Sequence, residues 1–216
     1  MMQNERFFSK QLLILATACA MIHSSLLADE VCDECIPFTI DARLSYFWPE
    51  SSSFREFYGN GTVDYQLTGT IPVYQGCSFL LRGLNLWWAA DYIENSGHSQ
   101  GLGNKTKIKM EPVTAGLKWV YPHSWLRPYI GIGLKYYFLQ VHNTSDFVKE
   151  HISRNGPGCI AETGIQIFSC NHIMGDLFLS YSFKQFGAPS NHLPNVTTTG
   201  LDVSGINIGG GIGFQF

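Results

Sequence analysis

The sequence predicts an all-β fold, namely an eight-stranded antiparallel transmembrane β-barrel preceded by a cleaved signal peptide. Three observations predict it. Apolar and polar residues alternate over eight successive segments, the connections between these segments are alternately short and long, and the chain ends on an aromatic residue, Phe216. The segments have roughly 10 to 14 residues, enough for a tilted strand to cross a bilayer, whereas strands of soluble proteins have about 5 to 6.

The N-terminus has the pattern of a secretory signal peptide. Arg6 and Lys10 precede an apolar run that begins at Leu12, and Ala28 stands before acidic residues. A basic region, an apolar region and a small residue in this order are typical of segments that are removed on export. We therefore expect cleavage after Ala28.

This cleavage divides the chain into three parts. We expect residues 1–28 to be the signal peptide, 29–36 to be a short periplasmic segment with a CxxC motif, and 37–216 to be an outer-membrane β-barrel. Lipidation of Cys19, at the end of "LATAC", is an alternative to simple cleavage. We rank it lower because Ala16 is a weak match at the position that such a signal requires.

The composition excludes some classes of function. The net charge is −3, so no basic surface for a nucleic-acid partner is indicated. Only 14% of residues are charged, against about a quarter in soluble domains, and 14% are aromatic. Beyond the N-terminus no run approaches the ~20 apolar residues of a spanning helix, so a membrane would be crossed by strands.

The eight segments are defined by a repeat of two residues. In the first segment, Ile40, Ala42 and Leu44 share one face, and Asp41 and Arg43 share the other. Successive side chains of a strand point to opposite faces, so this period indicates strands with one apolar and one polar face. In chain order the segments are 38–47, 62–73, 83–92, 105–121, 129–138, 159–168, 176–184 and 205–216.

The fourth segment contains a change of phase at Pro112. Ile108 and Met110 precede this proline, whereas Val113 and Leu117 follow it at the opposite parity. Proline cannot donate to a strand ladder, and a bulge shifts the alternation by one residue. We therefore predict a β-bulge at Pro112.

The connections predict the orientation in the membrane. The short ones are 74–78, 122–127 and 169–172. The long polar ones are 49–61, 93–105, 139–158 and 187–200. Bacterial outer-membrane barrels have an even number of strands, tight periplasmic turns and longer external loops. We therefore expect a protein of the Gram-negative cell outer membrane, with its loops facing outside and both termini in the periplasm.

Alternation alone does not decide which face points outward, because a soluble lipocalin-like barrel has its apolar face inside. Two observations favour an outward apolar face. The polar face is rich in small residues that suit a narrow interior, and Phe216 is in register with the apolar face. Aromatic residues also gather near segment ends, as interfacial girdles do: Tyr46, Phe47, Trp48, Trp87, Trp88, Tyr92, Trp119, Tyr121, Trp125, Tyr136, Tyr137 and Phe138.

The polar face then lines the barrel interior and predicts a polar network. Its ionisable residues are Asp41, Arg43, Asp64, Asp91, Lys118, Lys135, Glu162 and Asp176. Charges away from bulk water need partners, and we expect Lys135 to pair with Glu162 because they lie at similar heights on neighbouring strands. An eight-stranded barrel leaves little free lumen, so a structural plug is favoured over an ion path.

Three stretches carry a resemblance to a known group. "GINIGGGIGFQF" at the C-terminus, "LRPYIGIGLKYYF" and "PVTAGLKW" resemble strands of the OmpA/OmpW-like small outer-membrane β-barrel superfamily. The resemblance implies a porin-like eight-stranded barrel whose last strand is read by the barrel-assembly machinery. The positions that match this assembly signal are Ile208, Ile212, Phe214 and Phe216.

Five cysteines remain after the expected cleavage and are candidates for disulfide bonds: Cys32, Cys35, Cys77, Cys159 and Cys170. Export makes oxidising conditions available, and an odd number leaves at least one thiol free or paired with another chain. A cysteine-bearing barrel also resembles those of chlamydia-type envelopes. That resemblance implies disulfide-linked envelope proteins as partners, besides outer-membrane lipid.

The sequence contains no arrangement that predicts catalysis. His23 falls in the expected signal peptide and the other six histidines in predicted loops and turns. None lies on a strand beside an outward serine, so we expect no enzyme, no cofactor and no metal site. The function expected is an envelope-structural or surface-interaction role through the outer loops. Passage of small or hydrophobic solutes is the first alternative, and soluble binding of the lipocalin type is the second.

Overall fold

The computed structural model describes residues 38–74, 79–98, 105–121, 125–143, 151–168, 172–187 and 201–216. The first strands and two short helices are β1 (Thr39–Pro49), α1 (Ser52–Tyr58), β2 (Thr62–Pro72), α2 (Phe79–Arg82), β3 (Leu84–His98), β4 (Lys105–Met110) and β5 (Val113–Val120). The others are β6 (Leu126–Asn143), β7 (His151–Phe168), β8 (Ile173–Phe183), β9 (Gln185–Phe186), β10 (Leu201–Asp202) and β11 (Gly205–Gln215).

The strands form a closed antiparallel barrel. Neighbouring wall strands pair antiparallel, β8 pairs with β11, and β9 and β10 form a separate short ladder. β11 also pairs with β1, where Thr39 is opposite Gln215 and Pro49 is opposite Gly205. β4 and β5 lie end to end between β3 and β6, so the wall has eight strand positions. The predicted fold class is confirmed. The expected signal peptide and the segment 29–36 lie outside the described residues.

The apolar face points outward along the whole wall. Leu44, Ile132, Leu134 and Ile212 are more than half exposed, whereas Lys118 on the opposite face is fully buried. This arrangement is the reverse of a soluble lipocalin-like barrel, whose interior is apolar. It suits a wall whose solvent is lipid. Among the described residues, no helix has the length and apolar character needed to span a membrane.

The predicted bulge at Pro112 is wrong. The register between β3 and its partners is the same on both sides, with Ile93 opposite Met110 and Ala90 opposite Val113. Pro112 interrupts the ladder only because it has no N–H, and its carbonyl oxygen still accepts from Asp91 N at 2.9 Å. The inward and outward alternation is continuous. What changes along the strand is the type of side chain that faces the interior: Ile108 and Met110 are apolar, whereas Thr114 and Lys118 are polar.

Two of the four predicted long connections are shorter than the sequence suggested. β6 and β7 pair from Leu126–Ile167 up to His142–His151, so only residues 144–150 separate them. In the same way β3 and β4 extend to His98 and Lys105. The prediction assigned these residues to loops because they are polar, but polar residues also occur in the strand ladders here.

Three aromatic residues assigned to the girdles point inward instead. Phe47, Trp87 and Tyr137 are each at most 2% exposed, since they share the parity of the polar face. Of the remaining candidates, those with clearly exposed side chains are Tyr46, Trp48, Tyr92, Tyr121, Trp125 and Tyr136. The girdle therefore comprises a subset of the residues that the sequence suggested.

Candidate functional site: the barrel interior

A cluster of ion pairs lies in the half of the interior nearer the termini. Arg43 Nη1 is 3.0 Å from Glu162 Oε1, Arg43 Nη2 is 2.7 Å from Asp176 Oδ2, and Arg43 Nε pairs with Asp41. Lys118 Nζ is 2.7 Å from the same Glu162 oxygen. All five residues are at most 4% exposed. Such burial is tolerable because every charge has a close partner of opposite sign.

Aromatic rings enclose these two cations. The Arg43 guanidinium lies 4.8 Å from the centre of the Phe178 ring, and Lys118 Nζ lies 4.7 Å and 4.2 Å from the rings of Trp87 and Tyr129. Ring faces attract cations, and the rings also exclude water. Tyr129 Oη is 3.2 Å from Asp176 Oδ2, which ties the aromatic layer to the ion pairs.

A second polar cluster lies further from the termini. Lys135 Nζ is 2.6 Å from Asp91 Oδ2. Asp64 Oδ2 accepts hydrogen bonds from Gln66 at 2.7 Å and from Asn207 at 2.8 Å. Within the described residues Asp64 has no ion-pair partner, so it is held by neutral donors.

All eight ionisable residues predicted for the interior are buried there, but the predicted pairing of Lys135 with Glu162 is wrong. Lys135 is opposite Gly158 on β7, whereas Glu162 is opposite Gly131, four positions closer to the termini on β6. The two side chains are therefore at different heights. Each has its own partner, Asp91 for Lys135 and Lys118 with Arg43 for Glu162.

The pairing observed can be tested with a double-mutant cycle. We expect Lys135→Met and Asp91→Asn each to lower the free energy of unfolding by about 3 to 5 kcal/mol, because each leaves a buried charge unpaired. The double variant should lose at least about 1 kcal/mol less than the sum. Urea unfolding of protein refolded into lipid vesicles measures this.

The control is the pair Lys135→Met with Glu162→Gln. These two positions do not share a direct contact, so their losses should add to within about 0.5 kcal/mol. Additive losses in the Lys135 and Asp91 pair would contradict the assignment.

An apolar plug fills the interior at the end opposite the termini, and the sequence analysis missed it. Its buried members are Phe47, Phe54, Ile93, Ile108, Met110, Tyr137, Leu139, Phe186 and Val203. They come from the inward face of the long strands, from α1 and from the short β9–β10 ladder. The sequence did contain a signal for this plug. Phe47 and Ile93 are apolar, although they stand at the alternate positions of their strands that face inward.

α1 carries Phe54 into this plug, and local sequence explains why the helix forms there. Ser51 caps it by accepting a hydrogen bond from Phe54 N through its side-chain oxygen at 3.3 Å. The helix ends at Gly59, whose φ of 85° favours glycine and whose N–H donates to Arg55 O at 2.9 Å. Phe54 is 0% exposed and packs edge-on against the ring of Phe47 and at a tilt against the ring of Tyr58.

The interior therefore contains apolar clusters of different size towards its two ends. At the termini end, Val120, Tyr129 and Phe178 form a small apolar cluster next to the ion pairs, and at the far end the larger plug covers them. No group of three or more His, Cys, Asp or Glu side chains that could hold a metal occurs among the residues described.

The remaining predicted residues lie on or beyond the outer wall. Ile208, Ile212, Phe214 and Phe216 point outward and are more than half exposed, with Phe216 at 72%. Cys159 also points outward, and its thiol is free within the described part of the chain. The other disulfide candidates, Cys32, Cys35, Cys77 and Cys170, lie outside the described residues.

A closed eight-stranded barrel with an apolar exterior and a polar interior is the architecture of small outer-membrane β-barrels. Comparison with solved structures supports this class. The chain is similar to the Pseudomonas aeruginosa outer membrane protein OprG, with TM-score 0.58 and 16% identity over 85% of this chain and 97% of that one. It is also similar to Neisserial surface protein A, with TM-score 0.53 and 14% identity over 83% and 97%.

A third structure, the Escherichia coli outer membrane protein W, gives TM-score 0.50 and 15% identity over 86% of this chain and 100% of that one. These identities are low, so the likeness concerns the fold. At that level the resemblance to OmpA/OmpW-like small barrels is confirmed. The sequence matches no protein-family model and no curated protein sequence.

Proposed function

We propose that the protein is a non-enzymatic outer-membrane barrel that acts as a rigid scaffold, with an envelope-structural or surface-interaction role carried by its outer loops. One observation supports this role most directly. Among the described residues, buried ion pairs around Arg43 occupy the half of the interior nearer the termini and an apolar plug around Phe54 occupies the other half, which favours the outer surface as the place for interaction. The similar Neisserial protein is itself a surface protein.

The orientation is tested by placing an epitope tag in the chain. A tag inserted after Ser190, in a connection predicted to be external, should bind antibody on intact cells. A matched tag inserted after Ser169, in a connection predicted to be periplasmic, should bind only after the outer membrane is permeabilised. Equal accessibility of both tags on intact cells would overturn the proposed topology.

Solute passage is the competing function, and planar-bilayer recordings separate the two. We expect no reproducible single-channel steps from the wild-type protein, because side chains fill the interior. Phe54→Ala should remain silent as well, since the layer of ion pairs around Arg43 and Lys118 persists beneath the plug. Reproducible steps from the wild-type protein would favour passage over a scaffold role.

A further inference from the structure

The charges inside the barrel do not balance. The eight buried ionisable residues of the described interior comprise five carboxylates and three cations, so carboxylates are in excess when all of them are ionised. The carboxylates are Asp41, Asp64, Asp91, Glu162 and Asp176, and the cations are Arg43, Lys118 and Lys135. A buried charge without a partner of opposite sign is costly, so the excess calls for protons or for bound cations.

The uncompensated charge is clearest at Asp64. The other four interior carboxylates each form an ion pair with Arg43, Lys118 or Lys135, whereas Asp64 forms none within the described part of the chain. Asp64 on β2 and Asp91 on β3 are diagonal neighbours, since Gln66 is opposite Asp91. Such positions lie about 7 to 8 Å apart. Two carboxylates therefore share the single ammonium of Lys135 in this cluster.

The neighbours of Asp64 donate to only one of its two oxygens. Gln66 donates to Asp64 Oδ2 at 2.7 Å and Asn207 donates to it at 2.8 Å, and Ser45 Oγ lies 3.4 Å from the same atom. Among the described residues, Asp64 Oδ1, Asp91 Oδ1 and Asn207 Oδ1 are buried and accept no hydrogen bond. The cluster therefore holds three oxygen acceptors from two carboxylates and one amide that lack a donor.

We propose that this cluster binds one monovalent metal cation through Asp64 Oδ1, with the oxygens of Asp91 and Asn207 as further ligands. Carboxylate and amide oxygens are the ligands that hard cations take in proteins. One positive charge compensates the excess carboxylate, whereas a divalent ion would leave an excess of positive charge beside Lys135. Because Asn207 lies on β11 and the carboxylates on β2 and β3, the bound cation stabilises the closed barrel.

The dependence of unfolding on alkali cations tests the site. The protein in lipid vesicles is unfolded with urea in a mildly alkaline buffer, in which NaCl or KCl replaces choline chloride at constant total salt. A cation that binds only the folded state raises the folding equilibrium constant in proportion to its concentration once the site is saturated. We therefore expect a rise of up to roughly tenfold for each tenfold increase in sodium or potassium. Choline, which is too large for a packed interior, should give none.

Asp64→Asn removes the charge, keeps the shape and should abolish the dependence on alkali cations. The matched control is Asp176→Asn, which removes a buried carboxylate of the Arg43 cluster and should keep the dependence. Equal stability of the wild-type protein in alkali and choline salts would overturn the proposal. If stability then changes with pH alone, Asp64 carries a proton instead. An unchanged alkali dependence in Asp64→Asn would overturn it as well, and the wild-type comparison decides even if this variant does not fold.

Discussion

Arg43→Met is expected to cause the largest loss of stability of any single substitution in the interior. Arg43 contacts three carboxylates, Asp41, Glu162 and Asp176, and its removal leaves them buried with Lys118 as the remaining close cation. Breaking one buried pair costs about 3 to 5 kcal/mol, so we expect a loss of at least that size. Urea unfolding in vesicles, followed by tryptophan fluorescence and by heat-modifiable gel mobility, measures it.

Two variants make this expectation specific. Arg55→Met removes an arginine at the rim and should change stability by less than about 0.5 kcal/mol. Adding Asp176→Asn to Arg43→Met should restore part of the loss, because one uncompensated charge disappears. If Arg43→Met unfolds at the wild-type urea concentration, the ion-pair cluster does not hold the strands together.

Gly211→Ala is expected to impair closure of the barrel. A Cβ at Gly211 would lie 2.6 Å from Ala42 O and 2.6 Å from Arg43 Cγ, both on the adjacent strand β1. The backbone oxygen cannot move without disturbing the ladder between β11 and β1. We expect a loss of about 2 to 3 kcal/mol or more, whereas replacing glycine in a strand interior ordinarily stabilises by about 0.5 to 1 kcal/mol.

Gly175→Ala is the matched control, because here the replacement of glycine should have its ordinary effect on stability. Gly175 lies on β8, and a Cβ there would have Ile167 O as its nearest neighbour at 4.0 Å. This variant should therefore be neutral or slightly more stable. The fraction of protein that reaches the folded, heat-modifiable form during refolding measures both variants. Equal refolding of the two would show that strand contact at Gly211 is not tight.

The sequence predicted the strands and their faces well, because a period of two is imposed by strand geometry itself. Every residue expected to face the interior, from Asp41 to Asp176, is buried there. The even number of segments is consistent with the antiparallel pairing of the last strand with the first, which closes the barrel. The residues at the C-terminus were also placed on the outer face correctly, since Phe216 shares the parity of Ile212.

The alternation of residues along a strand shows which side chains face the interior, but it does not predict their ion-pair partners. The height of a side chain depends on the stagger between strands, which shifts Glu162 away from Lys135 by four positions. The plug was missed for a similar reason. Phe54 comes from a short helix in a polar connection, and Ile108 changes environment along a strand whose backbone continues unbroken.

The seam between β1 and β11 has a kinetic consequence. It joins Thr39 to Gln215, residues from opposite ends of the folded chain, so this ladder forms only after the whole chain is available. Arg43 lies beside this seam, and two of its partners, Glu162 and Asp176, belong to β7 and β8. A sheet that has not yet closed leaves those carboxylates without their arginine. Pairing of β1 with β11 therefore sets the register of these strands and brings Arg43 to its carboxylates in the same step. We expect intermediates in which this seam is still open to be sparsely populated.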